Sequence, residues 1–221
     1  DVQLKAYFHS LASTRNVVVL VPSEYRAIFW SDVATEILRS HNLLEGVARL
    51  RLGHVGLVVL VNKYDGIDLP QDACRVLVID GLPDVRSQLD RIEQIILQGS
   101  DEVTRRAIQR VEQGMGRGIR SNTDWCAVFL MGRSLTSQLY ARNAKQHFTT
   151  ATRAQLNLSE QLSKLLKKPG IEAINEMVQR FFGRDKGWVE KSKAAVVQAK
   201  YVSESKISHI AKNQRRDRKS T

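Results

Sequence analysis

The 221-residue chain contains no run of 18 or more apolar residues, which excludes a conventional membrane-spanning helix. Its first segment, DVQLKAYFHSLASTR, lacks the charged-then-apolar layout of a secretory signal. The expectation from both absences is a soluble, intracellular protein. Cysteine is scarce: only Cys74 and Cys126 occur, each beside or within an apolar run. That setting suits small buried side chains better than a disulfide framework or a cysteine-built metal site. No internal repeat and no low-complexity segment is evident. What is present, at 43% hydrophobic residues, suffices for a core, and the length suits one α/β domain with a helical appendage.

The net charge of +11 is unevenly spread. Residues 151–221 hold 16 Lys and Arg against 7 Asp and Glu, a net of +9, whereas residues 1–150 hold 18 against 16, a net of +2. This asymmetry points to a polyanionic partner, most simply nucleic acid, with a solvated helical face as the alternative. The terminal cluster KNQRRDRKS is equally compatible with a disordered tail.

The first 150 residues alternate two kinds of segment. NVVVLVP from Asn16, VGLVVLVN from Val55 and CRVLVID from Cys74 are short, continuous apolar runs, which read as strands buried on both faces, and WCAVFLMG from Trp125 reads as a further strand. Ser23 stands at an N-cap position, and the spacing of Ile28, Phe29, Val33, Ile37 and Leu38 predicts a helix over 24–41. A second helix is predicted from Asp101 through the stretch ending GMGRGIR, with Val103, Ala107, Ile108 and Val111 on one face. Apolar strands separated by helices imply a parallel sheet between helical layers. After Gly132 every segment reads as helix, with a break at Pro169-Gly170 and an apolar packing seam of Ile171, Ile174, Val178, Phe181 and Phe182.

Chemistry concentrates in loops that follow strands, where open α/β sheets bind ligands. In NKYDGIDLP, Gly66 allows close backbone approach and Asp65 and Asp68 offer carboxylates, expected at the strand's carboxyl end; an ordinary Asp-Gly turn stopped by Pro70 is the alternative. DGLPDV is a turn of low specificity. In QGMGRGIR, Gln113 and Gly116 precede Arg117 and Arg120, which one helical turn would aim the same way. Nothing else in the chain can hold the anion that two such forks would grip, and a solvent-facing arginine pair is the plain alternative.

In this order and at this separation the pieces resemble the second RecA-like domain of superfamily 2 helicases, nearest the XPD/Rad3/DinG branch. YDGIDLP resembles motif V, QGMGRGIR is similar to motif VI, DWCAVFLMGRSL resembles the strand that follows it, and VVVLVPSEYR stands loosely in the place of motif IV. The likeness runs over about residues 10–140. It implies a RecA-like α/β fold, a helicase domain over 1–145, and a basic helical extension over 146–221. It also implies that the anion belongs to a first RecA-like domain, in cis or in trans, which holds ATP and Mg2+. Arg117 and Arg120 would be arginine fingers and Gln113 their coupling to the attacking water. Asp68 would bind the ribose hydroxyls, with Gly66 and Gly116 beside the nucleotide. Ser23, Asn62 and Lys63 would face a nucleic-acid backbone, DNA before RNA, in the cytoplasm, nucleoid or nucleus.

The departures carry expectations too. No G-x-x-x-x-G-K-[S/T] stretch and no DEAD or DEAH quartet occurs, so neither phosphate cradle nor magnesium site is encoded here. These residues alone are expected not to hydrolyse ATP. A start in mid-helix at DVQLKAYF fits a fragment. Two cysteines do not reproduce the iron–sulfur cluster of some relatives, which in that branch belongs to the other half. Asn62 and Lys63 stand where relatives often have small or hydroxyl residues. Two other readings stay open: a double-stranded DNA translocase of a restriction or defence assembly, or an RNA remodeller, and a nonenzymatic nucleic-acid-binding scaffold.

Overall fold

A computed structural model describes residues 1–64, 67–82, 100–116, 125–141, 143–165 and 170–199, with 88, 92 and 95–97 besides. The chain divides into two compact units, Asp1–His147 and Phe148–Thr221.

The first unit is built on five parallel strands: β1 Val17–Val21, β2 Glu36–Leu38, β3 Leu57–Val61, β4 Val76–Asp80 and β5 Ala127–Met131, in the order β2-β3-β1-β4-β5. Each apolar run of the sequence became a strand; β1, β3 and β4 are covered on both faces, whereas β5, at the edge of the sheet, is half-buried at Ala127 to Leu130 and buried only at Met131. All five residues of β1, β3 and β4 are buried, and each buried Val or Leu side chain contributes about 1.5–3 kcal/mol.

Strand alternation assigns the covering helices to faces. Phe129 pairs in register with Val78, and Val78 with Val19. Phe8 of helix α1 (Val2–Leu11) meets Phe129 edge-on at 4.9 Å between ring centroids, so α1 lies on that face. Leu20 pairs with Ile79 and points the opposite way. Gly114 of α4 (Asp101–Met115) sits over Leu20 and Ile79, where an added Cβ would be 3.4 and 3.3 Å from them. Helix α3 (Leu43–Leu52) shares this second face: Leu38 lies in register with Leu60 and, through it, Leu20, and an alanine at Gly46 would collide with Leu38. The expected fold class, a RecA-like parallel sheet with helices on both sides and an all-helical extension, is the one observed.

One expected element is different. The helix predicted over 24–41 is only α2 (Glu24–Ile28), and Ile37 and Leu38 belong to β2. Ser23 does cap it, accepting from the Arg26 N–H at 3.3 Å. Past Ile28, which is 68% exposed, the buried Trp30 donates its indole N–H to Asp80 at 2.8 Å and pins the chain to the sheet. The Thr35 N–H then donates to Leu57 at 2.8 Å and opens the β2–β3 ladder. A three-residue strand is too short for its period to register against a helical one, while β-branched Val33, Thr35 and Ile37 favour extension.

Helix α5 (Arg133–Leu139) follows β5, and a short 3-10 turn, Ala144–His147, closes the first unit. The second unit consists of α6 (Thr150–Lys164), α7 (Ile171–Phe182) and a further helix, α8, over 186–199. Its expected seam is partly realised: Val178 is buried and Ile171, Ile174, Phe181 and Phe182 are half-buried. Phe181 stacks edge-on to Trp188 at 6.2 Å, joining α7 to α8.

Candidate functional site

Parallel pairing of Val21 with Val61 makes the chains leaving β1 and β3 exit side by side at the carboxyl edge of the sheet. There the Asn62 N–H donates to the Val21 carbonyl at 2.7 Å. Asn62 adopts φ of +53°, a left-handed conformation that asparagine accepts more readily than most side chains. This accounts for an asparagine directly after a strand. Ser23, Asn62 and Lys63 are thereby brought to one edge.

Asp68 is elsewhere, and its expected position at the strand's carboxyl end is corrected. Arg51, in the last turn of α3, donates to the Asp68 carbonyl from Nε at 3.1 Å and from a terminal nitrogen at 2.7 Å, and approaches its carboxylate at 3.6 Å. Since α3 runs back from β2 to the start of β3, its last turn belongs to the amino edge. The reason is length: six residues, 62–67, lie between Val61 and Asp68, enough at about 3.3 Å each to travel back along a five-residue strand.

Asn16, buried just ahead of β1, fastens this edge. Its Nδ2 donates to the carbonyls of Gly53 at 2.9 Å, Asp72 at 3.0 Å and Leu50 at 3.4 Å. Its Oδ1 accepts from the N–H groups of Val55 at 2.7 Å and Gly56 at 3.2 Å. One side chain thus joins α3, the entry to β3 and the loop that carries Asp68. Neither Asn16 nor Arg51 had a sequence signal beyond standing next to a strand or at a helix end.

The carboxyl edge has its own missed feature. Asp80 is fully buried at the end of β4 and accepts from Arg26 Nε at 2.7 Å as well as from Trp30. Arg26 also pairs with Asp1 at 3.1 Å and lies over the Phe29 ring. The group holds α2, and with it Ser23, against the sheet. An acidic residue closing an otherwise apolar strand was the available signal.

Gln113 is exposed near the end of α4, and Gly116 follows as its C-cap. Arg117 and Arg120 lie outside the described residues, as do Asp65, Gly66, Pro83, Pro169 and the basic cluster KNQRRDRKS. Among the described residues no three His, Cys, Asp or Glu side chains are grouped as a metal ion would require, and no helix is long and apolar enough to cross a membrane.

The family model of the helicase C-terminal domain matches residues 4–151. The chain belongs to that family. No curated protein matches it. As a helicase C-terminal domain it is part of a helicase, a class that binds nucleic acid and works with a companion N-terminal domain. The match takes in β1 to β5 and both edges just described, and stops as α6 begins.

Proposed function

We propose that this domain is the second motor domain of an ATP-dependent helicase, with fuel handled at the amino edge of its sheet and nucleic acid at the carboxyl edge. The observation that carries the reading is the separation of Asp68 from Ser23, Asn62 and Lys63 to opposite edges of one parallel sheet. A motor needs this separation if hydrolysis at one place is to move a strand at another.

At the amino edge the residues suit a nucleoside triphosphate held mainly by the first domain. Asp68 stands on a backbone that Arg51 fixes, with Oδ1 buried and the side chain partly exposed, so that Oδ2 is the oxygen left to accept from a ribose hydroxyl. Gly66 and Gly116, having no side chain, would allow a nucleotide close to the backbone. Arg117 and Arg120 stabilise charge on the transferring phosphoryl group; the planar, permanently charged guanidinium grips phosphate oxygens in pairs. Such a finger is worth roughly 10³ to 10⁵ in rate. Gln113 couples that helix to the attacking water. Mg2+ and the phosphates would rest in the first domain, whose acidic motif would supply the metal site. At the carboxyl edge the Ser23 hydroxyl, already accepting from Arg26, can donate to a phosphate oxygen, and Lys63 supplies positive charge.

The test is Arg117→Ala and Arg120→Ala in the complete two-domain motor. Each is expected to lower kcat by at least about a thousandfold while nucleotide Kd changes much less, because the finger acts on charge that develops in the transition state. Near-normal turnover in either variant would make that arginine structural.

A further inference from the structure

Neither the nucleotide reading nor the nucleic-acid reading uses the chain's two cysteines. They stand together at the amino edge. Cys74 lies two residues ahead of β4 and Cys126 one residue ahead of β5, and their Sγ atoms are 3.9 Å apart. Cys74 is fully buried and Cys126 is 6% exposed.

The backbone around the pair is fastened. The Arg75 carbonyl accepts from the Ala127 N–H at 3.0 Å. Its guanidinium donates to the Trp125 carbonyl at 2.9 Å and lies 4.1 Å from the centroid of the Trp125 ring. Register between Val76 and Ala127 continues from there. The two thiols are therefore held close by the same ladder that builds the sheet. A disulfide needs a sulfur separation of about 2.05 Å, about 2 Å shorter than the gap between the two thiols.

We propose that Cys74 and Cys126 form a redox modification site, in which a hydroperoxide converts them to an intrachain disulfide that a thiol reductant reverses. Cys126 reacts first because it retains the exposure. Its thiolate attacks a peroxide oxygen, the O–O bond breaks, and a sulfenic acid forms while the other oxygen leaves as hydroxide and takes up a proton. The Cys74 sulfur then attacks the Cys126 sulfur. The S–S bond forms, the S–O bond breaks, and the departing hydroxide leaves as water with the Cys74 proton. Two thiols lose two electrons and two protons, and hydrogen peroxide becomes two waters. The product bridges positions 52 apart in sequence and ties the start of β4 to the start of β5, directly after the segment that carries Arg117 and Arg120. Cross-linking positions so far apart restricts the unfolded chain, so the oxidised protein melts higher.

The experiment treats the full reduced chain with a small excess of hydrogen peroxide. Four readings are expected: titratable thiols fall from two to none, the intact mass falls by two hydrogens, and non-reducing peptide mapping links the Cys74 and Cys126 peptides. The melting temperature rises by several degrees. Dithiothreitol reverses all four. In Cys74→Ser the sulfenic acid at Cys126 persists and is trapped by a 1,3-dione, whereas in Cys126→Ser the Cys74 thiol survives the same dose. Survival of both wild-type thiols, bridges only between chains, or sulfinic acid formed without the bridge would each overturn the proposal. The wild-type readings decide it even if a serine variant folds poorly.

Discussion

At the residue scale the amino edge depends on one buried amide. Removing the Asn16 side chain leaves the Leu50 carbonyl and the Gly56 N–H unsatisfied in the interior, and the Gly53 and Asp72 carbonyls and the Val55 N–H in part-buried positions; each unsatisfied buried group costs about 1–3 kcal/mol. Asn16→Ala is expected to lower unfolding free energy by about 3–5 kcal/mol, read by urea denaturation. Asn16→Asp, which keeps the acceptor, should recover part of that. A loss below about 1 kcal/mol would mean that water replaces the amide. Asp68 separates binding from folding. If it holds the ribose, Asp68→Asn removes one charge-assisted bond worth about 1.5–3 kcal/mol, a ten- to hundredfold loss of kcat/KM for ATP in the complete motor, with melting temperature unmoved. A 2′,3′-dideoxy nucleotide should erase most of the difference, and a deficit undiminished with that nucleotide would free Asp68 from the role. The sequence made Asp68 visible through its Gly-x-Asp spacing. It could not place it at the correct edge, because that depends on Arg51, distant in sequence and unmarked. Asn16 was invisible for the same reason: its five partners are scattered from Leu50 to Asp72.

At the scale of elements, the strands with two covered faces were legible as unbroken apolar runs, and β2 was not, since its pairing with β3 outweighs a helical spacing that continues from α2. Helix α4 was legible throughout its described length, and its first turn carries a charge cluster with a pH signature. Glu102 accepts from Arg105 at 2.7 Å and from Arg106 at 3.0 Å. These hydrogen bonds, Arg105 first, hold its carboxyl at about 2 against an ordinary 4.5. A carboxylate whose pKa is depressed by folding stabilises the native state above its unfolded pKa and loses that contribution as pH falls through the folded one. The contribution of Glu102 is therefore complete above about 4.5 and fades toward about 2. Carboxyl-carbon NMR should give a Glu102 midpoint near 2, and Arg105→Ala together with Arg106→Ala should return it toward the ordinary value. An unchanged midpoint in that double variant would remove the arginines as the cause.

For the whole molecule, charge and fold were readable from the chain at different resolutions. The family-matched part is close to neutral and residues 151–221 hold a net of +9, which the sequence exposes by simple counting. What the positive part touches depends on chemistry outside the chain. Removing everything after Thr150 is expected to weaken nucleic-acid binding with little sequence preference and to flatten the slope of log affinity against log salt, because phosphate contacts release counterions. Binding titrations over a salt series check this, and an unchanged slope would make the charge a solvated surface. The order of the strands has a further consequence, for the chain as it is made. β1 lies at the centre of the sheet, yet Val17 finds its partners only at Leu57 and Val76. Forty residues must follow Val17 before the first of these exists, roughly 2 to 8 seconds at ribosomal speeds of about 5–20 residues per second. For that interval VVVLV, made only of valine and leucine, is an unpaired strand. Its β-branched, uncharged composition is that of an aggregation-prone segment, so the nascent chain carries that hazard until β3 has been made.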